Sequence, residues 1–173
     1  MGFDTAVVFG AGAFGTSIAS VLSENFKQVI LKVREEEVYT SIKNGENSVY
    51  LPGRELPKNI YPALTWEELD SCVSNSKIDL LVNGLPTRAI HPFYSENKNK
   101  VLEWLKKDIP MVSLTKGIDP DTCELPDDLF MHYFSDYSDK LCYLSGPSFA
   151  QEILDRQVTI VSLAGKVPDT LLP

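Results

Sequence analysis

The sequence predicts a doubly wound α/β domain with a mostly parallel sheet. Short runs such as residues 5–9 (TAVVF), 78–83 (IDLLVN) and 111–114 (MVSL) are apolar throughout, as strands covered on both faces must be. Segments with apolar residues at helical spacing separate them, the alternation that builds a parallel sheet from crossover helices. Length and composition agree: 173 residues, 43% hydrophobic and 23% charged, describe one globular domain that buries most of its surface without a disulfide or a metal.

Each element has a local reason. The run at 5–9 stops on Gly10, and from Phe14 the apolar residues Ile18, Val21 and Leu22 recur at helical spacing, which gives strand, glycine turn, helix. A second strand follows over 28–33 and a polar helix over 35–44. Two Pro and a Gly within 47–59 (NSVYLPGRELPKN) exclude a regular element there. Thr65 with Glu68 three residues on is the capping box of a short helix, and 78–83 is a buried strand. Pro92 opens a helix running to about residue 107, 111–114 is a strand, and 126–134 is helical. Residues 141–144 (LCYL) and 158–163 (VTIVSL) are further strands, with a brief helix in SFAQEIL between them. VPDTLLP at 167–173 starts a helix that stops at Pro173 within two turns, so the chain reads as cut.

Charge narrows the function. Sixteen Lys and Arg against 24 Asp and Glu leave a net charge of −8, which argues against nucleic acid or an anionic membrane as a partner. An anionic ligand must then be held by a local site. Three cysteines (Cys72, Cys123, Cys142) without C-x-x-C spacing, and only two histidines, argue against a disulfide framework or a zinc site and for a reducing compartment. The uncharged run at 5–23 nears the length of a membrane span, but Gly10, Gly12, Gly15, Thr16, Ser17, Ser20 and Ser23 dilute it. A cytoplasmic protein with no integral membrane segment is expected. His91 and His132 have no matching partner in the sequence, Lys98, Lys100, Lys106 and Lys107 read as a solvated helix face, and Trp66, Trp104, Phe130 and Phe134 read as packing residues.

Three segments carry chemistry. GAGAFG (residues 10–15) is a G-x-G-x-x-G between a strand and a helix: Gly10 permits the tight turn, Gly12 lets backbone approach a pyrophosphate, Gly15 lets helix pack on strand, and the helix N-terminus attracts the anion. Glu35, 20 residues past Gly15, stands where an acid binds the adenosine ribose, whereas Arg34 beside it suits a 2′-phosphate, so NAD and NADP both remain open. Lys116, in SLTKGI just past a buried strand, faces the crevice in which open α/β sheets bind ligands, although a plain surface lysine has the same placement. LSGPSFAQE (residues 144–152) again ends a strand; Gly146 allows close approach of a ligand and Ser148 offers a hydroxyl, while an ordinary turn with a helix cap has the same composition.

Taken together, GAGAFGTSIA, NSVYLPGRELPKN, NGLPTRAI, SLTKGI and LSGPSFAQE resemble, in order and over essentially the whole chain, the bacterial-type NAD(P)-dependent glycerol-3-phosphate dehydrogenases. YLPG-x-x-LP-x-N and SGPSFA-x-E are the specific parts of that resemblance. It implies a Rossmann-like cofactor domain over residues 1–173 and reversible reduction of dihydroxyacetone phosphate to sn-glycerol 3-phosphate, feeding glycerophospholipid synthesis. Matched residue by residue, it implies cofactor contacts at Ala13, Phe14, Arg34 and Ala150, beside Gly10, Gly12, Gly15 and Glu35, which the glycine motif and its spacing single out. Lys116 matches a catalytic lysine touching cofactor and substrate, and Gly146 and Ser148 match substrate contacts. Ala13 stands where the family often has Ser, which leaves the backbone cradle intact. The resemblance further implies a second, all-helical domain, missing from this chain, that holds the proton-transfer lysine and most of the phosphate site. The fragment alone is therefore expected to bind cofactor with little turnover, and the full-length protein to be open to homodimer formation. The competing readings are a ketopantoate-reductase or hydroxyacid-dehydrogenase-type enzyme and a non-catalytic dinucleotide-sensing module.

Overall fold

In a computed structural model, which describes residues 2–166, the chain runs β1 (Phe3–Phe9), α1 (Ala13–Leu22), β2 (Phe26–Lys32), α2 (Glu36–Lys43), β3 (Glu46–Asn47), β4 (Leu51–Glu55), β5 (Ile60–Ala63), α3 (Trp66–Val73), β6 (Ile78–Asn83) and α4 (Thr87–Leu105). It continues through β7 (Met111–Ser113), α5 (Pro126–Phe134), a 3-10 turn at Ser135–Lys140, β8 (Leu141–Ser145), α6 (Ala150–Leu154) and β9 (Ser162–Gly165). Seven strands form one sheet in the order β5-β2-β1-β6-β7-β8-β9. All pairings from β5 to β8 are parallel, and β9 closes the edge antiparallel to β8.

Central strands that must be covered twice explain the apolar runs. In β1, Val7 and Phe9 face α3, α4 and α5 with Leu69, Ile90, Tyr94, Trp104 and Phe130, whereas Ala6 and Val8 face α1 and α2 with Ala19, Val38 and Ile42. The first layer is held by aromatic packing: Phe9 stacks on Trp104 at 6.2 Å between ring centroids and meets Phe93 at 5.4 Å. Trp104, Phe130 and Phe134 are thus core residues, as their spacing suggested. α3 opens with its capping box formed, the Thr65 hydroxyl accepting from the Glu68 amide at 3.2 Å. Lys100 on the solvated face of α4 pairs with Asp70 at 2.6 Å.

Three expectations need correction, and one strand, β5, has no counterpart among them. Residues 47–59 are not wholly irregular, because β3 and β4 pair as a small antiparallel hairpin; Pro52 and Gly53 fit since β4 is an exposed two-stranded edge with no second neighbour. β5, with Pro62 in its middle, is an edge strand for the same reason and carries no run long enough to mark it. α4 begins at Thr87 after Pro86, and Pro92 lies inside it; both Pro92 and Arg88, whose carbonyl loses a helical partner, are exposed residues, so the break falls on the solvated face of the helix. The last strand begins at Ser162, and Val158 and Ile160 lie outside it and are exposed, so the apolar run there does not mark core. The helix expected at 167–173 lies outside the described residues. No helix among the described residues is long and apolar enough to cross a membrane.

Phe9 is fully buried at the meeting point of the aromatic layer and the central strand. Phe9→Ala is expected to cost about 3–5 kcal/mol of unfolding free energy through lost burial and a cavity, measured by urea denaturation.

Candidate functional site

The chain builds β1, β2 and β5 outward in one direction, then returns to the other side of β1 with β6 and continues to β8. The carboxyl ends of β1 and β6 therefore flank the reversal point, where open α/β sheets leave a crevice. Gly10 follows β1 with a φ of 95°, the turn that a side chain disfavours. A Cβ on Gly15 would lie 2.3 Å from the Gly10 carbonyl oxygen, so the start of α1 sits against the strand end only because residue 15 has no side chain. A Cβ on Gly12 meets nothing within 4 Å. That open volume lies at the N-cap of α1, which has no side-chain cap and no carboxylate in its first turn. Uncapped amides and an unopposed helix dipole in front of open space are what a pyrophosphate requires.

A second wall comes from the far end of the chain. The Lys116 ammonium donates to the Gly146 carbonyl at 2.9 Å and to the Ser148 hydroxyl at 2.9 Å, and it lies 5.0 Å from the centroid of the Phe14 ring. Four residues drawn from three sequence segments thus meet at one point. Ser17 on α1 donates to the Ala150 carbonyl at 2.9 Å, and Arg54 of β4 pairs with Asp155 at 2.5 Å. Arg156 pairs with Glu24 just past α1. These contacts hold α6 and the turn before it against α1.

Residues that the sequence reading did not single out hold both walls. Asn47, fully buried, donates from one amide to the Ala11 carbonyl and to the Thr16 hydroxyl, each at 2.9 Å, and so fixes the glycine turn from the hairpin. Asn59 donates to the carbonyls of Ser23 and Phe26 and clamps the turn between α1 and β2. The NSVYLPGRELPKN stretch thus braces α1 at both ends, Asn47 at the glycine turn and Asn59 at the turn into β2. Under Lys116, the Tyr94 hydroxyl donates to Asn83 at 2.9 Å, Asn83 donates to Thr115 at 2.7 Å, and Thr115 donates to the Leu85 carbonyl at 2.7 Å. Burial pushes the Tyr94 hydroxyl well above its ordinary pKa, so it stays a proton donor.

A family model described as NAD-dependent glycerol-3-phosphate dehydrogenase N-terminus matches residues 5–170. The chain belongs to that family. It is 34% identical over 161 residues to a glycosomal glycerol-3-phosphate dehydrogenase [NAD(+)] of Leishmania mexicana, covering 92% of this chain and 42% of the relative. It is also 34% identical over 161 residues to a glycerol-3-phosphate dehydrogenase [NAD(P)+] of Leptospira biflexa, covering 92% and 46%. The chain thus spans less than half the length of these relatives. Its fold matches a crystal structure of glycerol-3-phosphate dehydrogenase from Coxiella burnetii with a TM-score of 0.75 at 21% identity, over 96% of this chain and 48% of that one. Neither the ketopantoate-reductase type nor the sensing module is favoured by these relatives.

Within this dehydrogenase domain Arg34 and Glu35 lie just past β2, and the Arg34 Nε donates to the Glu35 carboxylate at 2.9 Å. A second guanidinium nitrogen pairs with the same carboxylate, and the Arg34 side chain is 89% exposed at the crevice edge of the sheet. A Cβ on Gly146 would lie 2.8 Å from the Ile160 carbonyl oxygen, so the returning chain packs directly against the Cα of residue 146. Its carbonyl is the part that faces Lys116. His91 and His132, unpartnered in the sequence, come together around Glu124.

Gly15→Ala is expected to destabilise the domain by about 1–3 kcal/mol, because the added methyl must push α1 off the Gly10 carbonyl. Thermal and urea unfolding beside Gly12→Ala, whose methyl meets open space, checks it; equal midpoints for the two variants would contradict the packing argument.

Proposed function

We propose that residues 1–173 form the cofactor domain of an enzyme that moves hydride between NAD(H) or NADP(H) and the pair dihydroxyacetone phosphate and sn-glycerol 3-phosphate, a step that feeds glycerophospholipid synthesis. The observation that carries the reading is the open, uncapped cradle at Gly12 with the Lys116 ammonium beside Phe14 at its rim. The bound dinucleotide supplies the hydride donor or acceptor. Gly10, Gly12, Ala13, Phe14 and Gly15 would hold its pyrophosphate through backbone, with Ala150, bonded through its carbonyl to Ser17 of α1, beside them. Glu35 accepts from the adenosine ribose, or Arg34 meets a 2′-phosphate. Lys116 serves the substrate: its ammonium, oriented by the Gly146 carbonyl and the Ser148 hydroxyl, stabilises negative charge developing on the oxygen at the reacting carbon. Ser148 and the Gly146 carbonyl border the same position and contact the substrate's polar groups. Proton transfer to that oxygen falls to a lysine of a second, helical domain in the full-length protein, which also holds the phosphate.

Two measurements test the reading. Isothermal titration with NADH and NADPH is expected to show at least tenfold weaker binding for Gly12→Val, about 1.4 kcal/mol, with the unfolding midpoint kept. In the same titrations Arg34→Ala should weaken NADPH and leave NADH nearly unchanged, since only one carries the extra phosphate; equal losses would assign Arg34 to the shared adenosine. In the full-length enzyme, Lys116→Ala is expected to lower kcat by about 10² or more with little change in folding, because the lysine is exposed. Unaltered steady-state kinetics would remove Lys116 from the chemistry.

A further inference from the structure

We propose that His91, Glu124 and His132 form a binding site for one zinc-type divalent metal ion. Their ligating atoms all lie within 4.8 Å of one another. The three come from separate segments: His91 from α4, His132 from α5, and Glu124 from the end of the segment that leads from β7 through Lys116 to α5. Each segment is held independently. α4 and α5 pack through the buried pair Tyr94 and Phe134, whose rings meet edge to face at 5.1 Å. The Glu124 carbonyl accepts from the Asp119 amide at 2.9 Å, and the Asp119 carboxylate accepts from the amides of Asp121 and Thr122, each at 3.0 Å.

Hydrogen bonding orients the donor atoms. The His91 Nδ1 and the Tyr133 hydroxyl share a hydrogen bond of 2.7 Å, and the hydroxyl also lies 3.3 Å from the His91 carbonyl oxygen. Nε2 of the same ring points at a Glu124 carboxylate oxygen 3.7 Å away, and in the tautomer with its proton on Nδ1 it presents a lone pair there. That separation is too long for a direct hydrogen bond. Two ligands on one tetrahedral zinc are about 3.3–3.5 Å apart, given metal–ligand bonds of 2.0–2.2 Å, so this gap is near the size that a metal ion fills. An imidazole fixed through its other nitrogen by a second partner is the usual arrangement of a metal-binding histidine. His132 Nε2 shares a 2.7 Å hydrogen bond with the other oxygen of the same carboxylate, a contact that a bound ion replaces as the two atoms move apart, and its ring centroid is 5.4 Å from that of His91. Side-chain exposures of 35%, 27% and 51% for His91, Glu124 and His132 let an ion enter and leave a fourth position for water. Two imidazoles and a carboxylate suit zinc over calcium or magnesium. The bound ion joins the Lys116 segment to both helices and stiffens it.

The test uses the untagged chain, stripped with a chelator and titrated with Zn2+ against a chromogenic chelator and with Co2+ by absorbance. One equivalent of Zn2+ is expected, with a raised unfolding midpoint. His132→Ala and Glu124→Gln should each weaken Zn2+ at least tenfold while the metal-free midpoint stays within a few degrees of the parent. Cys123 is exposed and adjacent to Glu124, so Cys123→Ser is the control and should bind as the parent does. The Co2+ spectrum should show visible d–d bands without thiolate charge transfer. Absence of Zn2+ binding, equal affinity in the His132 and Glu124 variants, or loss of binding with Cys123→Ser would each overturn the proposal.

Discussion

A methyl group at residue 15 would lie 2.3 Å from the Gly10 carbonyl oxygen, and the domain depends on that methyl being absent. Because α1 can rest directly on the end of β1, its first amides point into the space beyond the sheet and not into its own side chains. The same close approach brings β6 alongside: the Gly84 amide donates to the Phe9 carbonyl at 2.8 Å, which ties the two strand ends that flank the crevice. Larger residues at these positions would fill or tilt the cradle. The glycine spacing is thus a packing requirement first, and the anion site follows from it.

Around that point the domain uses buried side-chain amides where backbone pairing ends. Asn47 and Asn83 are fully buried, and each satisfies loop groups that no strand neighbour reaches. Among the described residues no buried side-chain nitrogen or oxygen lacks a hydrogen-bond partner. Since an unsatisfied buried polar group costs about 1–3 kcal/mol, this network specifies one loop arrangement over others of similar apolar burial. Lys116 benefits directly. Thr115 is locked from below by Asn83 and Tyr94, so the adjacent ammonium reaches Gly146 and Ser148 from a fixed base.

The hairpin of β3 and β4 shows how an irregular-looking segment acquires a function. On its own it is two short strands with a proline and a glycine in one of them. Placed over the glycine turn, it contributes Asn47 on one side and Arg54 to Asp155 on the other, and so joins the cofactor loop to the segment that carries Ser148.

The sequence by itself determined the doubly wound class, most strands and the capped helix α3, because these rest on local signals: apolar runs of strand length, glycine spacing and a Thr–Glu pair at the capping interval. The family was legible in another way, through the resemblance of five ordered segments. The sequence also pointed to Phe14, Lys116, Gly146 and Ser148 as separate candidates. Only the tertiary structure brought those four together, since their meeting depends on β1, β7 and β8 ending on one side of a parallel sheet. The edge strand β5 and the start of α4 escaped local reading because exposure at an edge, or at a solvated helix face, lets proline stand where a buried element would reject it. At Gly146 the composition shows only a missing side chain, and that the returning chain at Ile160 packs against it is decided by the tertiary structure. His91, Glu124 and His132 carry no recognisable spacing, because three segments that are distant in sequence share a surface only after α4 and α5 have packed.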